Sequence, residues 1–183
     1  MRQQARARRE AGFSLLEVMV ATFVLAVGVL GMVGVMAVGV QRIASSTESI
    51  VAREKAREAV ESVHTARDTG RLSWPTIRNV ANGGVFVGGQ QPLRVPGPDG
   101  LVNTADDLTV ETRRTPGVDG ILMNADDVIT PLTNFTREVV IGDVPGNGGG
   151  INPNLRQITV NIRYQVKGMW RTYTVRTLVS AFS

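Results

Sequence analysis

Between residues 18 and 40 the chain carries no charged side chain. As a helix rising ~1.5 Å per residue, that run reaches about 35 Å, enough to cross a hydrocarbon core of ~30 Å. Arg2, Arg6, Arg8 and Arg9 precede it. Basic flanks stay in the cytoplasm, so the C-terminal portion is expected to face outward. The run is too long for a secretory h-region, which spans about 7–15 residues. A plain single-span anchor fits the length and the flanking charge but leaves Glu17 unexplained. A carboxylate deep in a bilayer costs about 2.5–3.5 kcal/mol on insertion scales, and less near the interface.

Charge and composition narrow the classes. The formal net charge is +4, and the first twelve residues hold +3 of it. The basic excess thus belongs to the N-terminal tail. Aromatic residues are few and scattered, so no basic face with interleaved aromatics points to specific nucleic-acid binding. There is no cysteine, which excludes disulfides, thiolate metal sites and a cysteine nucleophile. The single histidine, His64, cannot build a two-histidine zinc site and is expected to be a solvated or half-packed side chain. No GxSxG elbow and no phosphate-cradling glycine loop occurs, so an enzyme is not expected.

The N-terminal stretch reads MRQQARARREAG followed by FSLLEVMVATFVLAVGVLGMVGV. A short basic leader ending in glycine, then an aromatic, then an apolar helix with glutamate at its fifth position resembles the type IV pilin family. The resemblance implies that a prepilin peptidase cuts between Gly12 and Phe13. It further implies N-methylation of Phe13 and a mature chain beginning there. The expected fold class is α+β, type IV pilin-like: a long N-terminal α-helix, transmembrane in its first half, packed on a small antiparallel β-sheet head.

The role of Glu17 also has a physical reading of its own. A cut before Phe13 creates a cationic amine in an apolar setting. When parallel helices stack, that amine can meet the Glu17 carboxylate of a neighbour. At ~4 Å and an effective dielectric of about 20 the pair gains ~4 kcal/mol before desolvation. An unpaired Glu17 is penalised, so the pair acts as a register device between subunits. Gly28, Gly31, Gly34 and Gly39 fit close helix approach in a membrane or filament.

After the run, Ala52, Ala56, Ala59, Val60 and Val63 recur at helical spacing as one apolar stripe, and Gly70 is a stop signal. One helix is expected over residues 14–67. The domain reading is a leader at 1–12, a transmembrane or filament-core helix at 13–40, an amphipathic continuation at 41–69, and a β-rich head at 70–183. Within the head, VETRR near 110–114, TREVVIG at 136–142 and ITVNIRYQV at 158–166 have strand composition. MWRTYTVRTLVSAF is expected to pair back after a Lys167–Gly168 turn, and 142–154 reads as a flexible loop.

The head contains a repeat at 96–128. PGPDGLVNTADDL at 96–108 aligns without gaps with PGVDGILMNADDV at 116–128, seven of thirteen positions being identical. Tandem Asp-Gly turns are one explanation. Turns alone do not call for two further adjacent aspartates. The other explanation is calcium, a hard cation taking six to eight oxygen ligands. Asp99, Asp106 and Asp107 in the first unit, and Asp119, Asp126 and Asp127 in the second, are the candidate Ca2+ ligands. Their spacing is not that of an EF-hand.

The apolar segment beginning LLEVMVA and continuing LAVGVLGMVGV most resembles that of pilus-modification (PilV-like) minor type IV pilins, and the resemblance implies a subunit inserted in or priming a pilus or fimbrium through its helix. The partners so implied are other pilins through their N-terminal helices, prepilin peptidase, an inner-membrane assembly platform, and the lipid bilayer before assembly. The protein is expected to be single-pass in the inner membrane, leader inside and head outside, and then on the pilus or cell surface. The rivals are a pseudopilin of a type II secretion system and a membrane-anchored, calcium-stabilised binding module.

Overall fold

The computed structural model describes residues 14–182, excluding the side chains of 41–46. The 1–12 leader and the Gly12–Phe13 junction, with the cleavage and methylation expected there, lie outside the described residues. The fold is α+β and type IV pilin-like: a long N-terminal helix and an antiparallel sheet. The chain divides into two compact units, Met1–Ala44 and Ser45–Ser183, and each is taken by itself.

In the first unit, helix α1 (Leu15–Asp68) begins on a serine cap. Ser14 Oγ accepts from the Leu16 amide at 3.3 Å, and its carbonyl accepts from Glu17 and Val18. Hydroxyl caps of this kind satisfy amides that the first turn leaves without partners, and an acid in that turn complements the helix dipole. Leu15–Val40 has a mean hydropathy of 2.5, long and apolar enough to cross a membrane, with none of its most apolar window buried by the chain itself. Thr22 returns its hydroxyl to the Val18 and Met19 carbonyls, both at 2.9 Å, so the one hydroxyl inside the span is satisfied internally. A Cβ added at Gly28, Gly31, Gly34 or Gly39 would meet nothing within 4 Å. Among the described residues, therefore, no neighbour requires those glycines.

In the second unit, the later turns of α1 bury Ala52, Ala56, Ala59, Val63 and Ala66. These follow the 3-and-4 spacing of one helix face, and their small side chains let a sheet approach closely. Gly70, at φ 71°, ends the helix, and the Leu72 amide closes back on the Ala66 carbonyl at 2.9 Å. The main sheet has strands β1 (Gln91–Pro92), β4 (Phe135–Pro145), β5 (Ile151–Val166) and β6 (Met169–Ser180), in the order β1-β4-β5-β6 and all antiparallel. Ile158, Val160, Ile162, Tyr164 and Val166 all point into the core from β5, as their period-2 spacing predicts. They join Phe86, Phe135, Leu93, Ile77 and Val179. Lys167 and Gly168 both take positive φ, 51° and 81°, the backbone that a two-residue hairpin needs to match strand twist.

Two expectations change. The 142–154 loop shrinks to residues 146–150, because β4 runs on to Pro145 and β5 starts at Ile151, with a register irregularity between Asp143 and Pro145. Ladder bonds to a neighbouring strand outweigh the local turn preference of its Gly, Asn and Pro. The strand expected near 110–114 is β2 (Thr112–Thr115). It pairs with β3 (Val128–Pro131) in a separate two-stranded sheet rather than joining the main one.

Candidate functional sites

The two acidic turns fold alike. In each, the first aspartate accepts from the amide two residues on: Leu101 to Asp99, Ile121 to Asp119, both at 2.8 Å. The amide of that aspartate donates to the next acid, Asp106 or Asp126, at 3.3 Å. The last aspartate ties down two successive amides. Asp107 takes those of Asn103 (2.6 Å) and Thr104 (3.3 Å); Asp127 takes those of Met123 (2.7 Å) and Asn124 (3.2 Å). The paired aspartates, which a bare Asp-Gly turn leaves unexplained, therefore have a backbone-organising job. Close approach sets the preceding glycine too. A Cβ at Gly97 would sit 2.3 Å from Asp106 Oδ2, and one at Gly117 would sit 2.2 Å from the Asp126 carbonyl.

The first turn brings carboxylate oxygens of Asp99, Asp106 and Asp107 within 4.8 Å of one another. Burial, with the neighbouring Asp106 and Asp107 charges adding to it, raises the Asp99 pKa above its usual 3.8 despite the Leu101 amide. The Thr104 hydroxyl, 2.6 Å from Asp106, is the main reason that carboxyl is lowered. Such an oxygen cluster is chemically suited to a hard divalent cation. Among the described residues this convergence of three acids occurs at the first turn alone. In the second turn Arg114 lies 3.3 Å from Asp127, and the Asn124 side chain donates from Nδ2 to Asp119 Oδ2 at 2.5 Å.

Surroundings differ more than geometry does. The first turn is anchored through Asn103, whose side chain donates to the Val87 carbonyl at 3.1 Å and accepts from Arg137 Nε at 3.5 Å. Arg137 is fully buried and lies 3.7 Å from Glu111, which Lys55 of α1 also pairs, while Lys55 reaches Glu58 at 2.7 Å. Burial works against the Lys55 ammonium, but the Glu111 and Glu58 carboxylates outweigh it and raise its pKa. Sequence reasoning missed this Lys55–Glu111–Arg137 network. Its members are 56 and 26 residues apart, and no local spacing marks a pairing made across strands and helix.

Glu17 is exposed in the first turn of α1, in a shallow groove with Val18, Ala21, Thr22 and Leu25. His64 is half-buried in the same helix, as expected.

The prokaryotic N-terminal methylation motif, as a family pattern, matches residues 7–33, a span that takes in Gly12, Phe13 and Glu17. No curated protein and no solved structure matches the chain at a significant level. The motif supports a type IV pilin-like or pseudopilin protein, made as a prepilin and handled by prepilin peptidase and pilus-type assembly machinery. That family is structural rather than catalytic. The apolar helix that overlaps the motif fits a single-pass, membrane-anchored chain.

Proposed function

We propose that the protein is a minor type IV pilin of the PilV-like kind, a non-catalytic subunit built into or priming a pilus through its N-terminal helix. One observation carries this reading: Glu17 stands at the start of a wholly exposed apolar stretch of helix, Leu15–Val40, inside the methylation motif. Prepilin peptidase would cut after Gly12 and methylate Phe13. The new amine would neutralise Glu17 of the adjacent subunit as helices gather at an inner-membrane platform. The head would lie outside the membrane, and afterwards on the pilus. Mass spectrometry of the mature protein checks the first step. A chain starting at N-methyl-Phe13 is the expected outcome, and an intact Met1 rejects the reading. Recovery with sheared pili distinguishes it from a type II secretion pseudopilin, which would stay with the secretion complex.

The second part of the proposal concerns the head. The convergence of Asp99, Asp106 and Asp107 favours Ca2+ as a stabilising ion at the first turn. Asp119, Asp126 and Asp127 supply the same acids in the second, with Arg114 competing for one of them. Calcium would hold together carboxylates that otherwise repel, and so keep a displayed head rigid outside the cell. A rise in melting temperature with calcium, reversed by chelator, is expected. Identical melting in both conditions rejects the ion.

A further inference from the structure

The second turn presents a surface that the first one buries. Leu101 and Val102 of the first turn are 3% and 0% exposed, while their counterparts Ile121 and Leu122 are 63% and 51% exposed. Val118, Met123, Val128 and Ile129 are also exposed, and β3 is open on both faces. Monomeric proteins seldom leave so many neighbouring apolar side chains in water unless something covers them. Met123 sharpens the point, because it holds φ 75° where the first turn has Asn103 at φ 68°. Asparagine tolerates that left-handed backbone, whereas a long side chain there is disfavoured. An apolar side chain is thus kept at the tip against the local backbone preference.

The same chain contains a fitting receptacle. A groove of about 450 Å³ runs between α1 and the sheet edge β6, floored by Val60, Tyr173 and Val175. Arg53, Arg57 and Arg176 line it, with no acidic residue among its walls. Arg53 lies over the Tyr173 ring, 5.7 Å from its centre. The second turn carries Asp119 and Asp126 beside its apolar residues. Knob and groove therefore match in both apolar character and sign of charge. The first turn sets an internal precedent, since Val102 lies beside Glu58, Ser62 and Ala66 of α1.

We propose that the second turn of one copy seats Ile121, Leu122 and Met123 in the α1–β6 groove of a second copy, with Arg53, Arg57 and Arg176 facing Asp119 and Asp126. Knob and groove are different surfaces, so the contact is head-to-tail, and its repetition builds an open chain of copies. A lipid surface is the less favoured occupant, because the acids at the tip are repelled by anionic headgroups. The contact does not depend on whether the assembly is a pilus or a secretion complex.

Disulfide trapping in the full-length protein, in membranes and in detergent micelles, tests the contact. The chain has no cysteine of its own. Mixed copies bearing Met123→Cys and Thr177→Cys should cross-link on mild oxidation. Met123→Cys with Gln157→Cys, on the opposite sheet face, should not. Adding Arg57→Glu to the groove copy should lower the yield about tenfold, and added salt should lower it too. Arg57 is exposed, so its melting curve should match the parent. Equal trapping at Gln157 overturns the proposal, and so does indifference to Arg57→Glu. Trapping of Met123→Cys only to a different subunit overturns it as well, as does Leu122-dependent flotation with anionic vesicles in place of cross-linking. The mass of the same sample reports leader removal, so failure of the contact and failure of the pilin reading are read separately.

Discussion

Residues 96–108 and 116–128 share a sequence pattern and a backbone, yet one turn is part of the core and the other projects from it. The hydrogen bonds that shape each turn run between its own aspartates and its own amides. Such a loop can be built anywhere on a surface. Burial comes from partners outside the turn. The first has Val87, Arg137 and the α1 face against it, whereas among the described residues the second is held at its base by Arg114 and Thr115. A duplicated local motif thus conserves shape, while its energetic weight depends on what the rest of the molecule brings to it.

If that contrast is right, the largest effect should come from removing the first turn's anchor. Arg137→Ala leaves buried Glu111 short of a partner and Asn103 without its donor, and should cost about 3–5 kcal/mol in chemical denaturation. An effect under about 1 kcal/mol would mean that the network does not hold the turn. Next, Leu101→Ala should cost about 2–5 kcal/mol, while Ile121→Ala at the matching position should stay within about 0.5 kcal/mol of the parent. Equal losses would erase the distinction between the turns. Gly97→Ala and Gly117→Ala should each distort a turn, since the added methyl meets an aspartate at 2.3 or 2.2 Å. Only the first should lower the melting temperature of the head, by the equivalent of about 1–3 kcal/mol.

The smallest effect concerns Asp99. Its folded-state pKa is raised above the usual 3.8, so its contribution to stability is present at lower pH and fades as pH climbs through that raised value. Asp106 is lowered and contributes in the opposite sense, its stabilisation present above the ordinary carboxylate range and lost on acidification. Asp99→Asn should therefore raise the neutral-pH melting temperature slightly in chelator, and should abolish any calcium-induced rise. A lower melting temperature in chelator would show that the Asp99 charge is favourable without an ion.

Much of the architecture was legible in the linear chain. The 18–40 run required an apolar helix, Gly70 ended it, and the alternation from Ile158 to Val166 identified a half-buried strand. These signals are local, and periodicity reports them directly. The repeat was legible as a pair of turns, but not as one buried and one exposed. Nor was the reach of β4 and β5 into the glycine-rich 142–154 segment, where pairing overrides turn composition.

Order along the chain is enough to specify what depends on neighbours a few residues away: the membrane-length helix with Glu17 at its head, the capped end, the strand faces, the Asp-to-amide bonds of each turn. Contacts across 26 or 56 residues, such as Arg137 to Glu111 and Lys55 to Glu111, exist only after strands and helix have packed. Packing also selected which aspartate turn would be enclosed and which would stand free. Burial is a property of the surroundings, and two nearly identical segments can be given opposite environments by them.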